Sequence, residues 1–181
     1  RKAYSDFIRE LLKRKLFKLG VRKPNTLGLF FVCKHDGRLR LIFDTRLANT
    51  AFVDPPHTEL PTPACFSKLE VPAGAIAYLA QSDLDNAFYH MLLPPGLSAY
   101  FVLPPDHASD IGVDEVDGCP VRPSDYVSPQ MVALPMGWSW SLWICQMMLE
   151  GCCSDAGMQP EDQLADKTPC HPLTPASVKH A

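Results

Sequence analysis

The sequence predicts an α+β fold with an antiparallel sheet, and three observations predict it. A basic stretch at the front carries apolar residues at helical spacing. A strand-turn-strand pattern follows, centred on Asp36-Gly37, a dipeptide that favours a tight hairpin. The remaining strand-like segments are separated by proline-bearing connections, not by the helices that parallel crossovers require.

The elements follow in order. Tyr4, Phe7, Ile8, Leu11 and Leu12 form one apolar stripe, which Leu16 and Leu19 continue. Ser5 or Asp6 is the expected cap and Gly20 the expected end. Leu27 to Lys34 and Arg38 to Phe43 read as the two strands of the hairpin. Alternation puts Arg38 and Arg40 on one face and Leu39, Leu41 and Phe43 on the other. Residues 54–63 form a proline-rich connection. Ala75 to Leu84 reads as a buried apolar strand with Asp83 near its tip. Phe88 to Leu93 and Tyr100 to Leu103 are short strand-like pieces. Pro105 to Pro123 is an acidic loop without periodicity, and Tyr126 to Leu134 a further strand. Pro135-Met136-Gly137 breaks that strand, and Trp138 to Cys153 reads as a buried helix. From Ser154 onward the chain is polar, carries no motif, and is expected to be extended or disordered.

Composition narrows the function classes. Hydrophobic residues make up 46% of the 181, which supports a packed core and argues against wholesale disorder. The most apolar window, Met136 to Leu149, is too short to span a membrane and is interrupted by Ser139, Ser141 and Gln146. Seven cysteines without a signal-like opening imply reduced thiols and an intracellular setting, cytoplasm or nucleus. No C-x-x-C pair occurs, and Cys33 with His35 or Cys170 with His171 are too scattered to suggest zinc. The net charge of −3 conceals an asymmetry. Residues 1–46 hold thirteen Lys/Arg against four Asp/Glu, or +9, and residues 47–181 hold four against sixteen, or −12. A basic front suits phosphates and an acidic back suits divalent cations. A solvated basic helix beside solvated acidic loops fits the same charges.

Three constellations carry chemistry. In the hairpin, Lys34 and Arg40 reach one volume from adjacent strands, an arrangement that suits phosphate oxygens. In Ser82-Asp83-Leu84-Asp85-Asn86-Ala87-Phe88-Tyr89, a carboxylate at the end of an apolar strand needs a cap, a partner or a metal. In Leu134-Pro135-Met136-Gly137-Trp138-Ser139-Trp140-Ser141, a glycine at a strand-to-helix junction allows close backbone approach. Each alone also reads as an ordinary hairpin, a capped turn or a loop before a core helix.

Taken together, from about Leu27 to Cys153, the three resemble the reverse transcriptase domain of retroviruses and retrotransposons. The K-x-D-G-x-x-R hairpin, continued by Leu41-Ile42-Phe43-Asp44-Thr45-Arg46-Leu47-Ala48-Asn49, resembles the fingers hairpin of that family. The Ser82–Tyr89 run is similar to its first catalytic motif. Leu134 to Gly137 with Ser141 and Gln146 is similar to the motif shaping its nucleotide site.

The resemblance implies a right-hand polymerase architecture of fingers plus partial palm. Residues 1–75 would be fingers with the basic helix, and 76–105 palm. Residues 106–137 would be the acidic loop and a returning fingers segment, 138–153 a palm helix, and 154–181 the tail. It implies RNA-directed DNA polymerisation on an RNA or DNA template-primer with deoxynucleoside triphosphates. Asp83 and the Leu84 carbonyl would bind Mg2+ or Mn2+, in a pair of ions about 3.5–4 Å apart. Lys34 and Arg40 would clamp the triphosphate, and Asn86 and Ala87 would meet it through backbone amides. Phe88 would lie under the sugar, Met136 and Gly137 would line the pocket, and Arg46 and Asn49 would contact template. The sequence departs from the family in three ways: Asn86 and Met136 replace the commoner aspartate and glutamine, and no Y-x-D-D motif follows. The polypeptide is therefore expected to be inactive alone. An inactive truncated retroelement product and a non-enzymatic nucleic-acid-binding module remain open, and an RNA-making polymerase of the same palm class is disfavoured by Phe88.

Overall fold

The computed structural model describes residues 2–21, 26–166, 173 and 178–180. The chain is mixed α+β with small antiparallel sheets. It divides into two units, residues 1–54 with 86–141 and residues 55–85 with 142–181.

The first unit opens with helix α1 (Lys2–Lys13), which buries Ser5, Ile8 and Leu11. The apolar stripe does not continue to Gly20. Lys15 takes left-handed backbone (φ 58°), Lys15 N–H donates to Leu12, and Leu16 N–H donates to Leu11. These are the paired bonds of a Schellman ending, which closes the helix one turn after its last buried leucine. Leu16 and Leu19 keep helical spacing by coincidence, since strand β1 (Phe17–Val21) already occupies that stretch. Gly20 lies within β1, where a Cβ would collide with the Gln130 amide.

Strand β2 (Gly28–Cys33) pairs antiparallel with β3 (Leu39–Asp44), with Val32 opposite Arg40 and Leu29 opposite Phe43. Gly37 sits in the turn at φ 78°, left-handed backbone that glycine adopts without penalty. A short helix α2 (Arg46–Asn49) follows. The expected acidic loop instead holds β4 (Asp106–His107), α4 (Ala108–Ile111), β5 (Glu115–Val116) and β6 (Cys119–Pro120). Two-residue strands are too short to show a period, so no pattern in the sequence marks them.

Strand β7 (Tyr126–Met131) is central in the sheet β1-β7-β4. It lies opposite β1 through Phe17↔Met131 to Val21↔Val127. Its other edge takes β4 and a bridge from Val102 to Gln130. The strand-like pieces at 88–93 and 100–103 are therefore mostly 3-10 turns (Ala87–His90 and Leu97–Tyr100). They contribute only single bridges at Leu92 and Val102. Phe101, Val102, Leu103, Met131 and Leu134 are fully buried here. Ser5 donates to buried Asp106 at 2.6 Å, and Tyr4 donates to the Pro104 carbonyl at 2.6 Å, so the helix is tied to the sheet at its first turn. Burial, and secondarily the Asp106 charge, push the Tyr4 hydroxyl pKa well above its ordinary value.

The second unit corrects two expectations. Residues 75–84 form no strand, and every one of them is exposed, Tyr78 at 92% and Leu79 at 88%. Apolar composition alone does not make a strand, because its backbone groups need a partner ladder. Helix α5 (Ser141–Asp155) begins three residues later than expected and is not a buried helix: Leu142, Met147, Met148 and Leu149 are exposed. Helix α3 (Pro63–Phe66) is capped by Thr62, whose hydroxyl accepts from the Ala64 amide. In the tail, a 3-10 turn (Pro160–Asp162) and a Gln163–His180 bridge are present. Cys170 and His171 lie outside the described residues.

Candidate functional site

The chemistry-bearing residues of the first unit gather at two places. The first is the hairpin. The register that sets Val32 opposite Arg40 places Lys34, Arg38 and Arg40 along one face, and the Lys34 amide donates to the Arg38 carbonyl at 2.7 Å. Lys34 and Arg40 line one open concavity of about 390 Å3 with Val32, Cys33, His35, Asp36 and Arg38. The cations are not equivalent. Arg38 is held by Asp36, with Nε–Oδ2 at 2.8 Å and Nη2–Oδ2 at 2.7 Å. The hydrogen bond from Arg38 lowers the Asp36 pKa below the ordinary carboxylate value. Lys34 and Arg40 make no ion pair with a described residue, which leaves both charges available to an anion. The face is not purely cationic: Phe30 and Val32 share it and are half exposed.

The second place is the loop of Pro135 to Ser139, where two segments far apart in sequence meet. The Asn49 amide donates to the Gly137 carbonyl at 3.1 Å, and its oxygen accepts from the Ser139 amide at 3.1 Å. Gly137 has φ 108°, and a Cβ there would stand 3.0 Å from Thr45 Oγ1. The end of the hairpin and the glycine loop are thus fitted together, with Thr45 buried between them. Behind the loop, Trp138 packs edge-on against Phe52 and Phe101 at centroid distances of 5.1 and 5.3 Å. Met136 is exposed at the tip of the loop.

The other sequence-selected residues stand as follows. Asn86 is left-handed (φ 57°, ψ 38°) and leads into the 3-10 turn that begins at Ala87. A left-handed residue followed by right-handed backbone turns successive N–H groups toward a common side, a geometry suited to anions. Phe88 is half buried. Arg46 is bonded to Asp44, its Nη2 at 2.6 Å from Oδ2, with its side chain otherwise in solvent. Asn49 spends its amide on the glycine loop, which gives it a structural task beside any contact with template.

Asp83 and Leu84 belong to the second unit and are exposed, with no strand around them. Among the described residues no group of three or more His, Cys, Asp or Glu side chains is placed to hold a metal ion. Mg2+ demands near-octahedral oxygen ligation, and one carboxylate with one carbonyl is a short donor set for two ions. The residues present do not fit the two-ion centre that the resemblance implies.

Sequence reading missed Thr45, whose burial follows from the hairpin meeting the glycine loop. It also missed the structural role of Asn49 and the grouping of Thr62, Cys65 and Asp166 in the second unit. Thr62 followed by Pro63 was a readable helix-start signal, but the carboxylate that completes the group is remote in sequence. No protein-family model matches the chain, and no curated protein matches it. Among the described residues no helix is long and apolar enough to cross a membrane.

Proposed function

We propose that this chain is the fingers and front-palm portion of an intracellular, right-hand RNA-directed DNA polymerase of the retroelement type. Its partners would be an RNA or DNA template-primer and deoxynucleoside triphosphates. The observation that carries the reading is the hairpin face, where Lys34 and Arg40 line one concavity and make no ion pair with a described residue, while Arg38 is paired with Asp36. Two converging cations, one compact and one planar, match a polyphosphate better than a single carboxylate. The order of the three motifs along the chain supports the same reading.

In this reading Lys34 and Arg40 offset charge on the triphosphate. The Asn86 and Ala87 amides add uncharged donors, and Phe88 packs against the sugar. Met136 and Gly137 border the pocket, and Arg46 approaches the template. Mg2+ or Mn2+ would supply the nucleotidyl-transfer chemistry. Asp83 and Leu84, which belong to the second unit, are too short a donor set to hold it.

A non-enzymatic nucleic-acid-binding module is the second reading, favoured by the +9 front segment and by the short donor set at Asp83. Titration of the chain with template-primer at several salt concentrations tests both. If about four phosphates are neutralised, log K falls with log[salt] at a slope of roughly −3 to −4. A flat response would remove nucleic acid from both readings. Magnesium-dependent binding that is weakened by Asp83→Ala favours the polymerase, and indifference to both favours the binding module.

A further inference from the structure

The second unit contains a polar group that neither reading uses. One oxygen of Asp166, Oδ1, accepts from the Thr62 amide at 3.1 Å, from the Thr62 hydroxyl, and from the Cys65 thiol at 2.8 Å. Lys68 Nζ reaches the Asp166 carbonyl at 3.4 Å. The donors surround the start of α3, a helix too short to be stable without tertiary support. Immediately before Asp166, Leu164 and Ala165 are buried, each 5% exposed, and Cys65 is 2% exposed. The incoming segment is itself stitched down: Leu164 N–H donates to the His180 carbonyl at 2.7 Å, and Lys179 pairs with Asp162 at 3.2 Å.

We propose that residues 164–166 form a strap latched onto α3 by the Asp166 carboxylate, and that opening of this strap is what exposes the Cys65 thiol. The contacts of the strap with α3 are polar, made by the Asp166 carboxylate and by Lys68 to the Asp166 carbonyl, and among the described residues of the strap its buried apolar side chains are Leu164 and Ala165. Segments of that kind open locally at lower free energy than the unit as a whole. While closed, the latch also makes the thiol inert. Burial, and then the hydrogen bond to Asp166, raise the Cys65 pKa, which withholds the reactive thiolate. Opening restores both access and an ordinary thiol.

The test is alkylation by iodoacetamide at neutral pH, followed peptide by peptide. The thiolate attacks the reagent's methylene carbon, iodide leaves, and the thiol proton passes to buffer. In the native chain Cys65 should react far more slowly than exposed Cys152. Asp166→Ala removes the acceptor, and Thr62→Val removes one hydroxyl donor while keeping the carboxylate. Each should accelerate Cys65 by about 10- to 100-fold, the shift expected from losing hydrogen bonds to a charged acceptor. Cys145 and Cys152 should keep their rates. Unchanged Cys65 rates in both variants would overturn the latch. So would acceleration of Cys65, Cys145 and Cys152 together in both, because the strap would then open only with the whole unit.

Discussion

The hairpin at 28–44 and the segment at 75–84 are both apolar stretches with strand-like sequence, and they end in opposite states. The hairpin carries its partner with it: Gly37 turns the chain, and six residue pairs close in register from Gly28↔Asp44 to Cys33↔Leu39. Phe43 at its base is 4% exposed and meets Phe17 at a centroid distance of 5.8 Å. The segment at 75–84 is flanked by turns at Gly74 and Asn86, yet it pairs with no neighbour and none of its residues sits in a strand. Ile76, Tyr78 and Leu79 stand in solvent. Strand propensity describes fitness for a pleated, half-buried surface, so it counts only where a ladder exists. The cationic polyphosphate candidates, Lys34 and Arg40, lie on the hairpin that brings its own ladder, and Asp83 lies on the segment that does not.

The widest separation between the two regions is expected in stability. Phe43→Ala should destabilise by about 3–5 kcal/mol, the usual cost of deleting a buried aromatic ring. Leu79→Ala should change stability by less than about 0.5 kcal/mol, as surface substitutions do. Urea denaturation followed by tryptophan fluorescence measures both. A cost at Leu79 approaching that at Phe43 would mean that residues 75–84 are packed in solution, and the contrast would fall.

The same contrast explains what was legible. The α+β class, the hairpin and the break at Pro135-Met136-Gly137 all rest on local signals and were readable. Local chemistry also decided the end of α1, but through Lys15 in left-handed backbone, a position where the sequence pattern favours glycine. The contacts of Asn49 with Gly137 and Ser139 join residues 88 and 90 positions apart, and no periodicity foretells them. Within the candidate site, the cations were readable because one hairpin register places them. The setting of Asp83 differs from the expectation because an apolar run without a partner ladder forms no strand.

A smaller effect is expected within the hairpin, where the three cations differ in their partners. Lys34→Ala and Arg40→Ala should each weaken binding of inorganic tripolyphosphate by about 10-fold, the order of one charge-assisted hydrogen bond. Arg38→Ala should weaken it less, because the Asp36 carboxylate already engages that guanidinium. Isothermal titration at low salt compares the three. Equal losses at all three positions would show that net charge, not the division of partners, governs the face, and the hairpin would be an unspecific basic surface.

The smallest effect concerns the end of the hairpin, where Asp44 faces Gly28 and binds Arg46. Arg46 donates to Asp44 from Nε at 2.8 Å, from Nη2 at 2.6 Å and from its backbone amide at 3.2 Å. These bonds, the side-chain one foremost, hold the Asp44 pKa at about 2 instead of 3.8. A carboxyl depressed by folding stabilises the folded chain above its unfolded pKa, and the contribution disappears as pH falls through the folded value. The window is therefore between about 4 and about 2, and the chain should lose this contribution on acidification across it. The Arg46 side chain is 90% exposed, so water and salt screen the pair and the change in stability should be slight even though the titration shift is large. Carboxyl-carbon NMR resolves the two. Asp44 should titrate near pH 2 in the native chain and return to about 4 in Arg46→Ala. A native midpoint already near 4 would show that the pair is open in solution. The hairpin register would then be held by its ladder and by Phe43 alone, with no help from its charged end.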